Sequence, residues 1–209
     1  MSQQLSLLDA VGQCQDLNLA PYEGELYLTK QFYPPHQADA LFTQLYRQVA
    51  WQEEQLLIYG KWRKVPRLMA WYGDAGTYYR YSGVSHRPLP WTATLLAIRD
   101  NVQQHCGCGF NSVLLNLYRD GQDSMGCHSD DEKELGENPL IASLSLGEER
   151  VFKLHHKTRK TTLGIALAHG DLLVMAGRLQ QCWQHAVPKT KHHKTARINL
   201  TFRTIYPPS

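Results

Sequence analysis

Three stretches in the second half of the chain alternate apolar and polar residues with the two-residue period of a strand. From Ala196 to Thr204, Ile198, Leu200 and Phe202 fall on one face, and Arg197, Asn199, Thr201 and Arg203 on the other. Ser112 to Tyr118 repeats the pattern, with Val113, Leu115 and Leu117 opposite Ser112, Leu114, Asn116 and Tyr118. From Leu140 to Leu146, Ser143 and Ser145 stand opposite Leu140, Ala142, Leu144 and Leu146. The first half has a helical period instead. Ala40, Leu41, Leu45 and Val49 predict a helix over His36 to Trp51, after the Pro34-Pro35 break. Leu95, Leu96, Ile98 and Val102 predict a second over Pro90 to His105, with Pro90 near its first turn and Gly107 and Gly109 ending it. Glu25 to Thr29 reads as a short strand. Turn signals such as Asp120-Gly121, His169-Gly170-Asp171 and Ala176-Gly177 divide the later strands. Helices first and strands after predict an α+β domain with a jelly-roll core.

A strand with one apolar and one polar face either turns the polar face to water or lines a cavity for a polar ligand. Arg197 and Arg203 on one face favour a cavity that holds an anion, because guanidinium groups grip carboxylates through paired hydrogen bonds.

The candidate chemistry lies at Cys127-His128-Ser129-Asp130-Asp131-Glu132. On an extended backbone His128 and Asp130 point the same way, and an imidazole with a carboxylate is most of a 2-His-1-carboxylate metal site. His185 is the candidate third ligand. It lies far downstream, so only a returning strand brings it close, and a jelly roll supplies that return. His155, His156, His192 and His193 sit in basic runs that repel a cation. A rival reading joins Cys127-His128 with Cys182-x-x-His185 as a structural zinc site. It requires neighbours on one strand to face the same ion, and it leaves Asp130 and both arginines without a role.

His128-x-Asp130, Trp183-Gln184-His185 and Arg197-x-Asn199-x-Thr201-x-Arg203, in that order, resemble the AlkB family of Fe(II)- and 2-oxoglutarate-dependent dioxygenases, from about Tyr59 to Thr204. The likeness is strongest to the animal homologue that works on duplex DNA. The resemblance implies a double-stranded β-helix core over about 110–205, supporting helices, and an N-terminal hairpin-bearing lid over about 52–87, all within one domain of 25–209. It implies iron on His128, Asp130 and His185, with 2-oxoglutarate and O2 as cosubstrates. Arg197 is then expected at the far C5 carboxylate with Asn116 and Tyr118, and Arg203 with Asn199 and Thr201 nearer the C1 end. The implied activity is DNA repair by oxidative demethylation of 1-methyladenine and 3-methylcytosine, releasing formaldehyde, succinate and CO2. Asp131 and Glu132 are expected near the cationic base, and Tyr79, Tyr81 and the His128 ring are expected to stack on it.

Tyr59-Gly60-Lys61-Trp62-Arg63-Lys64 and Arg67 form an aromatic and basic segment. Tyr59-Gly60 reads as a turn tip, where an aromatic beside Lys61, Arg63 and Lys64 suits stacking on a base while phosphates are neutralised. Core packing is the expectation for Trp62 and Trp71. The basic run Lys189 to Lys194 lies between His185 and the arginine strand, within reach of a DNA backbone.

Composition adds bounds. A chain of 209 residues suits one domain, and a net charge of +3 permits nucleic acid without requiring it. The start lacks the pattern of a signal peptide, and no apolar run is long enough for a membrane span. Five cysteines without regular spacing suggest a reducing compartment. A monomer inside the cell is expected, cytoplasmic if bacterial and nuclear if eukaryotic. Residues 1–24 read as a loosely held arm. Two alternatives stay open: an RNA or protein hydroxylase or demethylase of the same superfamily, and a non-catalytic jelly-roll binding module.

Overall fold

The computed structural model describes residues 17–58, 61–77, 79–81 and 84–207. The strands that carry the alternating patterns are the centre of a seven-stranded sheet. β6 (Ser112–Tyr118), β8 (Ile141–Gly147) and β13 (Arg197–Arg203) lie side by side in it. β11 (Leu172–Ala176) and β1 (Glu25–Thr29) extend the sheet beyond β8; β3 (Lys61–Gly73) and β2 (Gln52–Ile58) extend it beyond β6. A second, four-stranded sheet runs β10 (Thr162–Leu167), β9 (Arg150–His156), β12 (Trp183–Val187) and β7 (Met125–His128). From β6 to β13 the chain passes back and forth between the sheets, with antiparallel pairing throughout, which is jelly-roll connectivity. A short ladder, β4 (Tyr79–Tyr81) with β5 (Val84–His86), stands apart.

The period-2 faces explain the layering. Val113, Leu115 and Leu117, with Ala142, Leu144 and Leu146 and with Ile198, Leu200 and Phe202, form one buried face of the large sheet. The helices α1 (Pro35–Gln48) and α2 (Ala93–Cys106) cover it with Ala38, Leu45, Leu95, Ile98 and Val102. The opposite face meets the small sheet across a second core that includes Phe152, Leu154, Met175, Trp183 and Val187. The polar face of β13 is therefore inside the protein.

Both helices begin differently from the sequence reading. Pro35, not His36, is the first residue of α1, a position where a missing N–H costs nothing. Pro90 precedes α2 rather than entering it. The start is set by Thr92, whose hydroxyl accepts the Leu95 N–H at 3.2 Å. Gly107, at φ 67°, closes the helix in the left-handed conformation glycine tolerates.

Two further expectations are corrected. Residues 17–24 are held in place rather than loose. Asn18 Oδ1 accepts from Ala20 and Leu26, Glu23 pairs with His156 and Arg159, and the Glu23 carbonyl accepts from Trp183 Nε1 at 2.8 Å. Trp62 is 61% exposed, not in the core. It lies where the β2–β3 pair runs past the rest of the sheet: β3 contacts β6 only from Leu68 onward, so Trp62 has no second layer to cover it.

Candidate active site

Register assembles the site. Across β13 and β6, Arg197 faces Tyr118 and Asn199 faces Asn116. On the other side of β13, Asn199 pairs with Ser145 and Thr201 with Ser143. In the small sheet, His185 on β12 lies directly opposite His128 on β7, with ring centres 4.3 Å apart. Except for Ser145, these side chains line one cavity between the sheets together with Asp130, Met175, Phe152 and Arg203.

Ligand atoms of His128, Asp130 and His185 lie within 4.8 Å of one another, and among the described residues this is the metal-competent cluster. The protonation states suit a cation. Burial pushes His185 down, as does its neighbour His128, to about 3, so the ring is neutral with a free lone pair. Burial alone raises the carboxyl of Asp130, but Arg203, His185 and His128 outweigh it and hold it at about 2. His128 Nδ1 lies 2.9 Å from the Gly126 carbonyl, which can only accept, so Nδ1 carries the proton and Nε2 is left as the donor atom. Asp130 is fixed from two sides: its N–H donates to Gln180 Oε1 at 3.0 Å, and its Oδ2 accepts from Arg203 Nη2 at 2.9 Å. Phe152 stacks on His185 with centres 5.1 Å apart. Cys127, on the other face of β7, is exposed and reaches only Gln184 at 3.7 Å, so the zinc alternative lacks its geometry.

The other end of the cavity is built for an anion. Arg197 is 1% exposed; its Nη2 donates to Ser145 Oγ at 2.9 Å, while Nε and Nη1 are buried without a hydrogen-bond partner among the described residues. An unsatisfied buried guanidinium is costly, and a carboxylate is the group that would satisfy it bidentately. Asn199 Nδ2 donates to Ser143 Oγ at 2.8 Å, and its Oδ1 accepts from Thr201 at 3.1 Å. These residues fit a metal chelated by a small dicarboxylate.

The substrate-facing expectations fare unevenly. Arg67 is buried, 3% exposed, and its Nε donates to Asn116 Oδ1 at 2.6 Å, which turns the Asn116 amide nitrogen the other way. Its Nη1 donates to the Ser124 carbonyl at 3.2 Å. Asp131 is exposed and pairs with Lys157 at 3.4 Å. Glu132 Oε2 is buried without a hydrogen-bond partner. Tyr59 and Gly60 lie outside the described residues. For Lys61, Tyr79 and Tyr81 the backbone is described, in β3 and β4. Ser143, Ser145, Phe152 and Gln180 were not singled out by motif, although the two serines lay on the polar face of a predicted strand.

Residues 25–203 match the family described as the 2OG-Fe(II) oxygenase superfamily. Alpha-ketoglutarate-dependent dioxygenase alkB homolog 3 of Bos taurus is 43% identical over 181 residues, which span 82% of this chain and 63% of that protein. DNA oxidative demethylase ALKBH2 of Mus musculus is 41% identical over 182 residues, 82% of this chain and 76% of that protein. The two likenesses are nearly equal, so identity alone does not rank one above the other. The structure of OsALKBH1 superposes with a TM-score of 0.60 at 17% identity, covering 88% of this chain and 98% of that one, and supports the fold alone. By its family match across both sheets, and by 41% identity to an AlkB relative of which it spans 76%, this chain belongs to the 2OG-Fe(II) oxygenase superfamily and, within it, to the AlkB family.

Proposed function

We propose that this protein is a Fe(II)- and 2-oxoglutarate-dependent dioxygenase that repairs DNA by oxidative demethylation of N-alkylated bases, 1-methyladenine and 3-methylcytosine among them. The observation that carries this reading is one cavity holding both the His128–Asp130–His185 cluster and a buried Arg197 with two unsatisfied nitrogens. The relatives' names, a dioxygenase and a DNA oxidative demethylase, support the substrate class. His128, Asp130 and His185 would hold the iron, which would supply the redox chemistry for hydroxylation of the N-methyl carbon with O2 and 2-oxoglutarate.

The chain's residues do the positioning. Arg197 takes the far carboxylate of 2-oxoglutarate, with Tyr118 and Asn116 beside it on β6. Arg203 keeps Asp130 ionised at the metal end. Glu132, with its unpartnered oxygen, favours the positive charge of a methylated base, and Asp131 stands next to it. Such a base pairs poorly, so extruding it costs less than extruding an intact one. The lid over 52–87 holds the nucleic acid. Tyr59 serves to fill the gap a flipped base leaves, Tyr79 and Tyr81 stack on that base with the His128 ring, and Trp62 and Lys64 are exposed along β3. The site is complete within one chain, in keeping with a monomer. Among the described residues Cys108, Cys127 and Cys182 form no disulfide, in keeping with a reducing intracellular compartment.

The test is aerobic incubation with Fe(II), 2-oxoglutarate and methylated DNA or RNA, single- or double-stranded, reading bases by mass spectrometry, with Asp130→Ala as the inactive control. Loss of methyl groups from DNA with matching succinate supports the reading. Loss from RNA alone moves the substrate to RNA, and no loss from any nucleic acid removes the repair function.

A further inference from the structure

Arg150 opens β9 and is 4% exposed, yet it makes no ion pair among the described residues. Its guanidinium is spent on three carbonyls: Nη1 donates to Asp120 at 3.0 Å, and Nη2 to Asp123 at 2.9 Å and Pro188 at 2.7 Å. The first two belong to the turn between β6 and β7, the third to the loop between β12 and β13. The same guanidinium lies 5.6 Å from the ring centre of Tyr118, and that of Arg197 lies 5.2 Å from the same centre. Tyr118, 1% exposed, is thus in contact with two buried cations.

Two like charges gathered about one ring are unfavourable unless an anion joins them. On the Arg150 side three carbonyl dipoles already balance the charge. On the Arg197 side Nε and Nη1 remain open, so the shared positive potential is directed into the cavity. The turn and the loop have other bonds between them: Thr190 N–H donates to the Gly121 carbonyl at 2.9 Å, and Gln122 Nε2 to the Thr190 carbonyl at 3.0 Å. A Cβ at Gly121 would sit 2.9 Å from the carbonyl oxygens of His192 and Thr190, so the two segments are already in direct contact. Arg150 is therefore not needed simply to close the fold at this end. Its particular contribution is to the Tyr118 ring.

We propose that Arg150 is a positioning residue for the dicarboxylate cosubstrate: it braces Tyr118 against Arg197, so that the far carboxylate of 2-oxoglutarate meets a preset pair. This rests on the reading of the cavity as a 2-oxoglutarate site. Arg150 does not touch the ligand, and its effect is confined to the end away from the metal.

The experiment uses Mn(II)-loaded protein, which does not turn over, and reads ligand affinity from water-proton relaxation. 2-Oxoglutarate is compared with 2-oxovalerate, which keeps the keto acid but has a methyl group in place of the far carboxylate. Arg150→Met is expected to raise the dissociation constant for 2-oxoglutarate by about tenfold, equivalent to about 1.4 kcal/mol, and to leave that for 2-oxovalerate unchanged. Arg150→Lys, which keeps the charge but replaces the planar guanidinium with a compact ammonium, is expected to lose less, with the same selectivity. An unchanged constant for 2-oxoglutarate, or an equal rise for both ligands, overturns the proposal. Should Arg150→Met fail to fold, the same comparison in Arg150→Lys decides it by the same criterion. A wild-type protein that does not bind 2-oxoglutarate sinks the cosubstrate reading itself, an outcome distinct from any behaviour of the variants.

Discussion

Arg203 Nη2 donates to Asp130 Oδ2 across 2.9 Å, joining the last strand of the large sheet to the loop that leaves the small one. Both groups are buried, and the guanidinium, with His185 and His128, keeps Asp130 ionised. Removing one partner of such a pair costs roughly 3–5 kcal/mol, because the remaining charge is left in a low dielectric. Arg203→Met should therefore lower the urea midpoint of the metal-free protein substantially, and added divalent metal should restore part of the loss by giving Asp130 a new partner. A variant as stable as the wild type would mean that Gln180 and the histidines already satisfy the carboxylate.

Arg197 offers the clearest binding test. Its open nitrogens face the cavity, and Arg197→Ala leaves an incoming carboxylate unpaired in a buried place, at a cost of about 3–5 kcal/mol. The affinity for 2-oxoglutarate should fall by about a hundredfold or more. Titration of the variant measures this directly, and an unchanged constant would place the cosubstrate elsewhere.

The strands that build the site were legible because alternation is a local signal. Each of β6, β8 and β13 showed its polar face in sequence, and burial of the apolar face against α1 and α2 left that polar face to the cavity. His128 and Asp130 were legible from their spacing on extended backbone, and His185 because its alternatives sat among like charges. Arg150 was not legible. Its hydrogen bonds go to backbone carbonyls of two distant segments, and nothing in a sequence marks a carbonyl as an acceptor. Trp62 was misplaced for a related reason. Aromatic character argues for burial, but whether a layer exists to bury it depends on where β3 leaves β6. Arg67 was grouped with its basic neighbours as facing the substrate, whereas in the fold it is buried and bonded to Asn116.

The segment before β1 should release in acid. The bonds from Arg159, from its own backbone and from His156 hold the Glu23 carboxyl below its ordinary 4.5, at about 2. A carboxyl whose folded value is depressed contributes stability that is present above the unfolded value and lost as pH falls through the folded one. The difference in melting temperature between wild type and Glu23→Gln should thus be full above about pH 4.5 and shrink toward about pH 2. A difference that holds steady through that window would show that the contact is not ionic.

Trp62 should matter for nucleic acid and not for folding. An indole 61% exposed contributes little to the core, so Trp62→Ala should leave the melting temperature nearly unchanged. Stacking on a base is worth about 1–3 kcal/mol, so binding of single- and double-stranded DNA should weaken by about 5- to 150-fold. Fluorescence anisotropy with labelled oligonucleotides measures it. A stability loss without a binding loss would return Trp62 to a structural role.

Tyr59 separates a duplex reader from a single-strand enzyme. It stands in sequence between β2 and β3, whose pairing runs to Ile58 opposite Lys61. When a base leaves a duplex it leaves a hole in the stack, and an aromatic ring can fill it for roughly 1–3 kcal/mol. A single strand has no hole to hold open. Tyr59→Ala should therefore slow repair of a methylated duplex by about tenfold or more, each 1.36 kcal/mol being about a tenfold step. Repair of the same lesion in a single strand should change little, and Tyr59→Phe should behave as wild type because the ring fills the gap. Equal losses on both substrates would point to a general contact shared with Trp62. No loss on either would mean that Tyr59 is not a wedge and that preference for duplex, if present, comes from another part of the chain.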